Sequence, residues 1–305
     1  MQLKVKLLSL IILFALVSCQ PTPEIPVQPE FTEISTPTSL PTVTPTMTST
    51  PIAETVVFQE NASPNGEWTG TVILTSSETS KDLLFKVSRN HNNHSWIIEQ
   101  KDVNKDDNPL PGFTYPYIFK WSQDGKYLYY SHLPTFNDGC FGYFQPGGLD
   151  LIKFDLSNGE EVTLRDDKAT WMALSPDEEK LAYIGTFGGN VSILDFEEKT
   201  TTTFQLPKVE NPQNFVTDTS DIYWSPDGKS LIYAHYIGAC ELIFPFSYIF
   251  QLFPETGQQT ILVDNSEESF RPIEWNVERQ ILLEDSENKK WWLDATTKEI
   301  TPANK

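Results

Sequence analysis

The sequence predicts an all-β fold, a β-propeller of four-stranded blades, and three observations carry that prediction. A tight-turn motif recurs at intervals of about fifty residues. Short runs of strand-forming residues flank each copy. No stretch keeps a helical period over enough residues to compete. The copies are Ser63-Pro64-Asn65-Gly66, Trp121-Ser122-Gln123-Asp124-Gly125-Lys126, Leu174-Ser175-Pro176-Asp177, Trp224-Ser225-Pro226-Asp227-Gly228-Lys229 and the degraded Trp275-Asn276. They fill Ala53 to Lys305 as five units. The spacing also accommodates a divergent sixth blade, or a closure strand borrowed from Ala53 to Phe58.

Each copy has a physical reading. Proline fits the second position of a turn, aspartate bonds back to the backbone, and glycine takes the left-handed conformation that closes a hairpin. A strand precedes the corner, such as Tyr117 to Trp121 or Asp221 to Trp224, and another follows it, such as Tyr127 to Ser131 or Ser230 to Ala234. A third and fourth strand come next, for example Leu149 to Asp155 and Glu161 to Leu164, joined at Ser157-Asn158-Gly159. Continuous apolar runs such as Leu231-Ile232-Tyr233-Ala234 suit strands buried on both faces by stacked blades. These corners resemble the repeats of TolB-type, WD40-like propellers, with departures at Glu178-Glu179 and Val277-Glu278. The resemblance implies the fold and no single activity, because such propellers serve as protein docks, ligand binders and accessory domains of peptidases. A peptidase would need a Gly-x-Ser-x-Gly elbow, which the sequence lacks.

Ahead of the propeller, residues 1–18 read as a signal peptide and residues 19–53 as a stalk, leaving 54–305 for the blades. Lys4 and Lys6 precede an apolar run from Leu7 to Val17 that is too short to span a bilayer. Leu16-Val17-Ser18-Cys19 resembles the lipobox of bacterial lipoproteins, which implies cleavage before Cys19 and a lipid on its sulfur. The expected location is extracytoplasmic, lipid-anchored to the cell membrane or the outer membrane; Gln20 after the cysteine favours the outer one. The stalk is mostly Pro, Thr, Ser and Glu and lacks the apolar surface to fold. Extended at about 3.1 Å per residue, it holds the next domain up to roughly 100 Å from the lipid.

The formal charge of -20 makes nucleic acid a poor partner. The membrane, reached through Cys19, is one partner; the other is a protein, peptide or glycan.

That ligand is expected on one face. In a four-stranded meander the Asp-Gly corners share a face with the third-to-fourth turns. The opposite face receives the long connection Lys101 to Pro116 and the loops Leu133 to Gly148 and Tyr236 to Phe246. Long loops in compact domains usually carry function. Tyr115, His132, Phe136, Phe141, Tyr143, His235 and Phe244 are the candidate ligand-binding residues there. Cys140 and Cys240 sit at matching places in blades 2 and 4, and an exported compartment favours a disulfide between them. Zinc held by His132, His235 and the two cysteines is the lesser reading, since the spacing matches no zinc motif. Asp102, Asn104, Asp106 and Asn108 have the oxygen spacing of a calcium loop but lack its glycine and its closing glutamate; no other cofactor is implied. Non-enzymatic binding is the leading reading. The alternatives are a glycan-acting hydrolase with carboxylates around the channel, for which Asp102, Asp106, Asp138 and Asp150 are available, and a scaffold of an envelope complex.

Overall fold

Local hydrogen bonding makes the corners. In blade 2 the Ser122 hydroxyl donates to Asp124 (2.9 Å) and accepts from the Tyr127 amide (2.9 Å), Gly125 N–H donates to Ser122 O (3.0 Å), and Gly125 sits at φ 69°. Ser63, Ser175 and Ser225 anchor the same network in blades 1, 3 and 4. In blade 5 the Asn276 side chain stands in, accepting from the amides of Glu278 and Gln280 (both 3.0 Å). The departure at Glu178 keeps the turn as well: Glu178 adopts φ 64°, and its carboxylate accepts from the Gln123 amide (2.8 Å) and the Tyr129 hydroxyl (3.0 Å) of blade 2.

The computed structural model describes residues 53–77, 80–103, 114–134, 148–185, 189–211, 213–238, 246–278 and 280–303. Among these, five four-stranded antiparallel sheets form, each from consecutive strands. Blade 1 holds β1 (Glu54–Ala62), β2 (Trp68–Ser76), β3 (Lys81–Arg89) and β4 (Ser95–Asp102). Blade 2 holds β5 (Thr114–Trp121), β6 (Tyr127–Pro134), β7 (Leu151–Asp155) and β8 (Glu161–Arg165). Blade 3 holds β9 (Ala169–Leu174), β10 (Lys180–Gly185), β11 (Val191–Asp195) and β12 (Thr200–Phe204). Blade 4 holds β13 (Thr217–Trp224), β14 (Leu231–Ile237), β15 (Phe246–Phe253) and β16 (Gln258–Ser266). Blade 5 holds β17 (Arg271–Trp275), β18 (Gln280–Glu284), β19 (Lys290–Asp294) and β20 (Ile300–Pro302). The architecture is a five-bladed propeller. The segment considered for a borrowed closure strand is instead the first strand of blade 1, paired with β2.

Apolar seams join successive blades. Val72, Phe85, Ile118, Tyr130 and Phe154 fill the first, Tyr129, Leu151, Met172 and Leu181 the second. Ile184, Tyr233 and Phe250 belong to the third, and Ile232, Ile249, Ile281 and Leu283 to the fourth. Each such side chain contributes roughly 1.5–3 kcal/mol by leaving water. The middle blades are therefore apolar on both faces, and all seven residues of β14 are buried. The end blades alternate instead: β18 reads Gln280-Ile281-Leu282-Leu283-Glu284 with only Ile281 and Leu283 buried. In blade 1, the β2 positions matching Leu231 and Tyr233 of β14 are Thr69 and Thr71, and Val57 in the neighbouring β1 is 51% exposed.

Candidate functional site

Two polar clusters lie toward the face opposite the Asp-Gly corners, where second strands end and third strands begin. Both involve a histidine at the same repeat position, His132 near the end of β6 and His235 near the end of β14, each on the side of its sheet that meets the preceding blade. Their surroundings give them opposite charge states.

His132 is held from two blades. Its Nδ1 lies 2.6 Å from Asp150 Oδ2, just ahead of β7, and its Nε2 lies 3.2 Å from Glu99 Oε2 on β4. Asp150 also accepts from the His132 backbone N–H (2.8 Å). The bonds to Asp150 and then Glu99 outweigh partial burial and raise the imidazole to about 9, so it is a cation at neutral pH. Burial works to raise the Glu99 carboxyl, but hydrogen bonds from His132 and Lys101 leave it below its ordinary value. Asp150, one of the carboxylates considered for hydrolysis, is thus committed to an ion cluster that pins blade 1 to blade 2. His235 is 6% exposed and lies 3.0 Å, through Nδ1, from the Thr219 hydroxyl. Burial lowers it to about 4, and it stays neutral.

The second cluster occupies the inner strand of blade 4. The strand expected from Asp221 to Trp224 begins four residues earlier, at Thr217 of β13, and Asp218 to Asp221 are all buried. Strand β13 packs between β9 and β17. Asp221 is fully enclosed and well satisfied. It sits at φ 54° in a bulge, a conformation aspartate tolerates better than most residues. It accepts from the Tyr236 hydroxyl (2.9 Å), the Ser220 hydroxyl (2.9 Å) and Arg271 Nε (3.2 Å), with burial still pushing its pKa up.

Asp218 is the exception. It is 5% exposed, and among the described residues its carboxylate accepts one hydrogen bond, from the Thr219 backbone N–H (2.8 Å). Burial, with help from the Asp221 charge, raises it to about 6. In the same register row, across Tyr236, lies Ser247, fully buried, its hydroxyl without a hydrogen-bond partner among the described residues. A charge left this poorly matched in a folded interior is a mark of functional positions.

Of the residues expected from sequence to meet a ligand, Tyr115 is half-buried in β5 and stacks on Phe58 (centroids 6.1 Å apart), and His132 and His235 take the places just described. Phe136, Phe141, Tyr143 and Phe244 lie outside the described residues, as do Cys19, Cys140 and Cys240. Asn104, Asp106 and Asn108 of the calcium reading are also outside, and Asp102 ends β4, exposed. Among the described residues no three His, Cys, Asp or Glu side chains are grouped to hold a metal ion. Asp218, Asp221, Arg271 and Glu99 escaped the sequence reading. The available signal was the run of polar residues immediately before Ile222-Tyr223-Trp224, at the place where other blades begin their first strand.

No family model matches the chain. No curated protein matches it either. Solved structures do. A prolyl endopeptidase aligns at TM-score 0.50 with 12% identity, over 82% of this chain and 35% of that one. An oligogalacturonate lyase in complex with manganese aligns at 0.48 with 14% identity, over 81% and 64%. TolB from Acinetobacter baumannii aligns at 0.41 with 15% identity, over 80% and 53%. The chain therefore spans under two thirds of each of these proteins, and at such identities the likeness is one of fold.

Proposed function

We propose that the protein is an exported, lipid-anchored β-propeller that binds a protein or peptide without catalysis, on the face opposite the Asp-Gly corners, by receiving a cationic side chain at Asp218. The observation that carries this reading is the buried, singly bonded Asp218 carboxylate. Burial that raises this carboxyl to about 6 corresponds to roughly 3 kcal/mol against the ionised form in the folded state. An ammonium or guanidinium group arriving there would remove that penalty. The same group would leave Asp221 undisturbed, because Arg271 already neutralises it. The charge of -20 draws cations toward the surface from a distance.

The leader supports export and a lipid on Cys19, and export supports a bond between Cys140 and Cys240. Replacing Cys19 by Ala is expected to move the protein from the membrane fraction to the soluble one. Intact mass with and without reductant should differ by the two hydrogen atoms that reduction adds to one disulfide. For the ligand, thermal shifts of the full chain are compared across peptides rich in Lys or Arg, their Glu-rich counterparts, and neutral peptides. Stabilisation by cationic peptides alone, absent in Asp218→Asn, is expected. Equal responses to all three classes, or an unchanged response in the variant, would refute the assignment.

A further inference from the structure

Asp218 is one end of a longer polar row. Ile232 of β14 belongs to the seam with blade 5, and Tyr236, four residues on, points to the same side. Asp218 lies opposite Tyr236 in the ladder, so its carboxylate also faces that seam. Arg271, the first residue of β17, reaches the seam from blade 5 and donates from Nε to Asp221 Oδ1 (3.2 Å). Counted back from the tryptophan that precedes each corner, the place of Arg271 is Tyr117 in blade 2 and Ser220 in blade 4. The place of Asp218 is Tyr115 in blade 2 and Ser269 in blade 5. The repeat itself therefore requires neither charge.

Neutralising Asp221 takes one of the five N–H donors of the guanidinium. The contact is made through Nε, which leaves Nη1 and Nη2 without a hydrogen-bond partner among the described residues, on a side chain 43% exposed. Two other arginines spend their terminal nitrogens within the chain. Arg89 Nη2 lies 3.6 Å from Glu67, and buried Arg165 donates from Nη1 and Nη2 to the carbonyls of Asp167 and Lys168. Asp221, itself held by Tyr236 and Ser220, fixes the Arg271 guanidinium in place. A fixed planar fork of this kind matches a carboxylate, whose two oxygens accept both Nη donors in parallel. Glu284, opposite Arg271 in the β17–β18 ladder, is already paired with Lys290 (3.0 Å), whereas Asp218 has no ionic partner among the described residues. Three residues separate Asp218 from Asp221, which sets the open carboxylate and the open fork on the order of 10 Å apart. A terminal lysine spans such a gap. Its carboxylate meets the fork and the ammonium on its four-carbon stem meets Asp218, each at a hydrogen-bond length of about 3 Å.

We infer that Arg271 and Asp218 form a two-point site for a peptide that ends in lysine or arginine, Arg271 taking the terminal carboxylate and Asp218 the cationic side chain. The inference rests on the assignment of Asp218 to a cation and adds where in the peptide that cation stands. Titration calorimetry on the full chain tests it with four N-acetylated tetrapeptides. One ends in lysine with a free carboxylate, the second is the same peptide amidated, the third has the lysine moved to its second position, and the fourth ends in glutamine with a free carboxylate. The first is expected to bind at least about tenfold more tightly than each of the others, as loss of a charge-assisted contact implies. Arg271→Gln should bring the lysine acid and its amide to equal affinity, and Asp218→Asn should do the same for the lysine and glutamine acids. Arg271→Lys keeps a cation beside Asp221 but loses the fork, so it decides in place of Arg271→Gln if that variant fails to fold, with the same result expected. Equal binding of acid and amide by the parent would overturn the two-point site and leave the assignment of Asp218 standing. Equal binding of the lysine and glutamine acids, or no binding of any peptide below ~10 mM, would overturn both.

Discussion

His132 stands between two carboxylates, and its charge is a stabilising element of the folded state. Its folded pKa of about 9 exceeds the ordinary value near ~6.5. The contribution is therefore complete below about 6.5 and is lost as pH rises through about 9. His132→Gln should cost about 1–3 kcal/mol at pH 7 by leaving Asp150 and Glu99 less satisfied. Denaturant melts across this pH window should show a decline for the parent protein that the variant lacks. Asp218 has the opposite sign. A carboxyl raised to about 6 favours the folded state only while protonated, so stability falls as pH rises from near 4 through 6. Asp218→Asn is expected to stabilise the protein by up to ~3 kcal/mol at pH 7.5 and to give no gain below pH ~4. A loss of stability in this variant at neutral pH would mean that an unrecognised partner already satisfies Asp218.

The corner was the element most legible in the sequence, because its hydrogen bonds close within five residues. Ser122, Asp124 and Gly125 specify the turn locally, and the copies at Ser63, Ser175 and Ser225 reproduce it. Glu178 shows where such reading runs out. A left-handed glutamate costs about 1–2 kcal/mol, and the compensation comes from Gln123 and Tyr129 of the preceding blade, which no local pattern announces. Glu178→Ala keeps the strain while removing both bonds. Calorimetric melting should show it less stable by about 1–3 kcal/mol, whereas Glu179→Ala, in an exposed corner position, should be neutral. The start of strand β13 was obscured for a similar reason: Asp218 to Asp221 are polar yet buried, and Tyr236 and Arg271 reach Asp221 from other strands.

For the whole molecule, the period of the repeat revealed the number of blades and the order of strands within them. It did not reveal the unequal seams, which depend on which side of each strand meets a neighbour. Blades 2 to 4 are apolar on both sides, while the outward sides of blades 1 and 5 carry Thr69, Thr71, Gln280 and Glu284. Hydrogen exchange should reflect this, with amides of β14 among the slowest and those of β1, β2 and β18 opening well before global unfolding. Uniform protection of all five blades would argue against it. In the proposed function, Asp218 of blade 4 is the carboxylate on the face opposite the corners that a cationic ligand would neutralise. The most direct test of that claim is titration calorimetry of a lysine-rich peptide into the full chain and into Asp218→Asn, at pH 7.5 and at pH 5. Binding to the parent at the higher pH, at least tenfold weaker binding at the lower one, and weak binding to the variant at both is the predicted result. Affinity that is the same for both proteins, or unaltered between the two pH values, would contradict it.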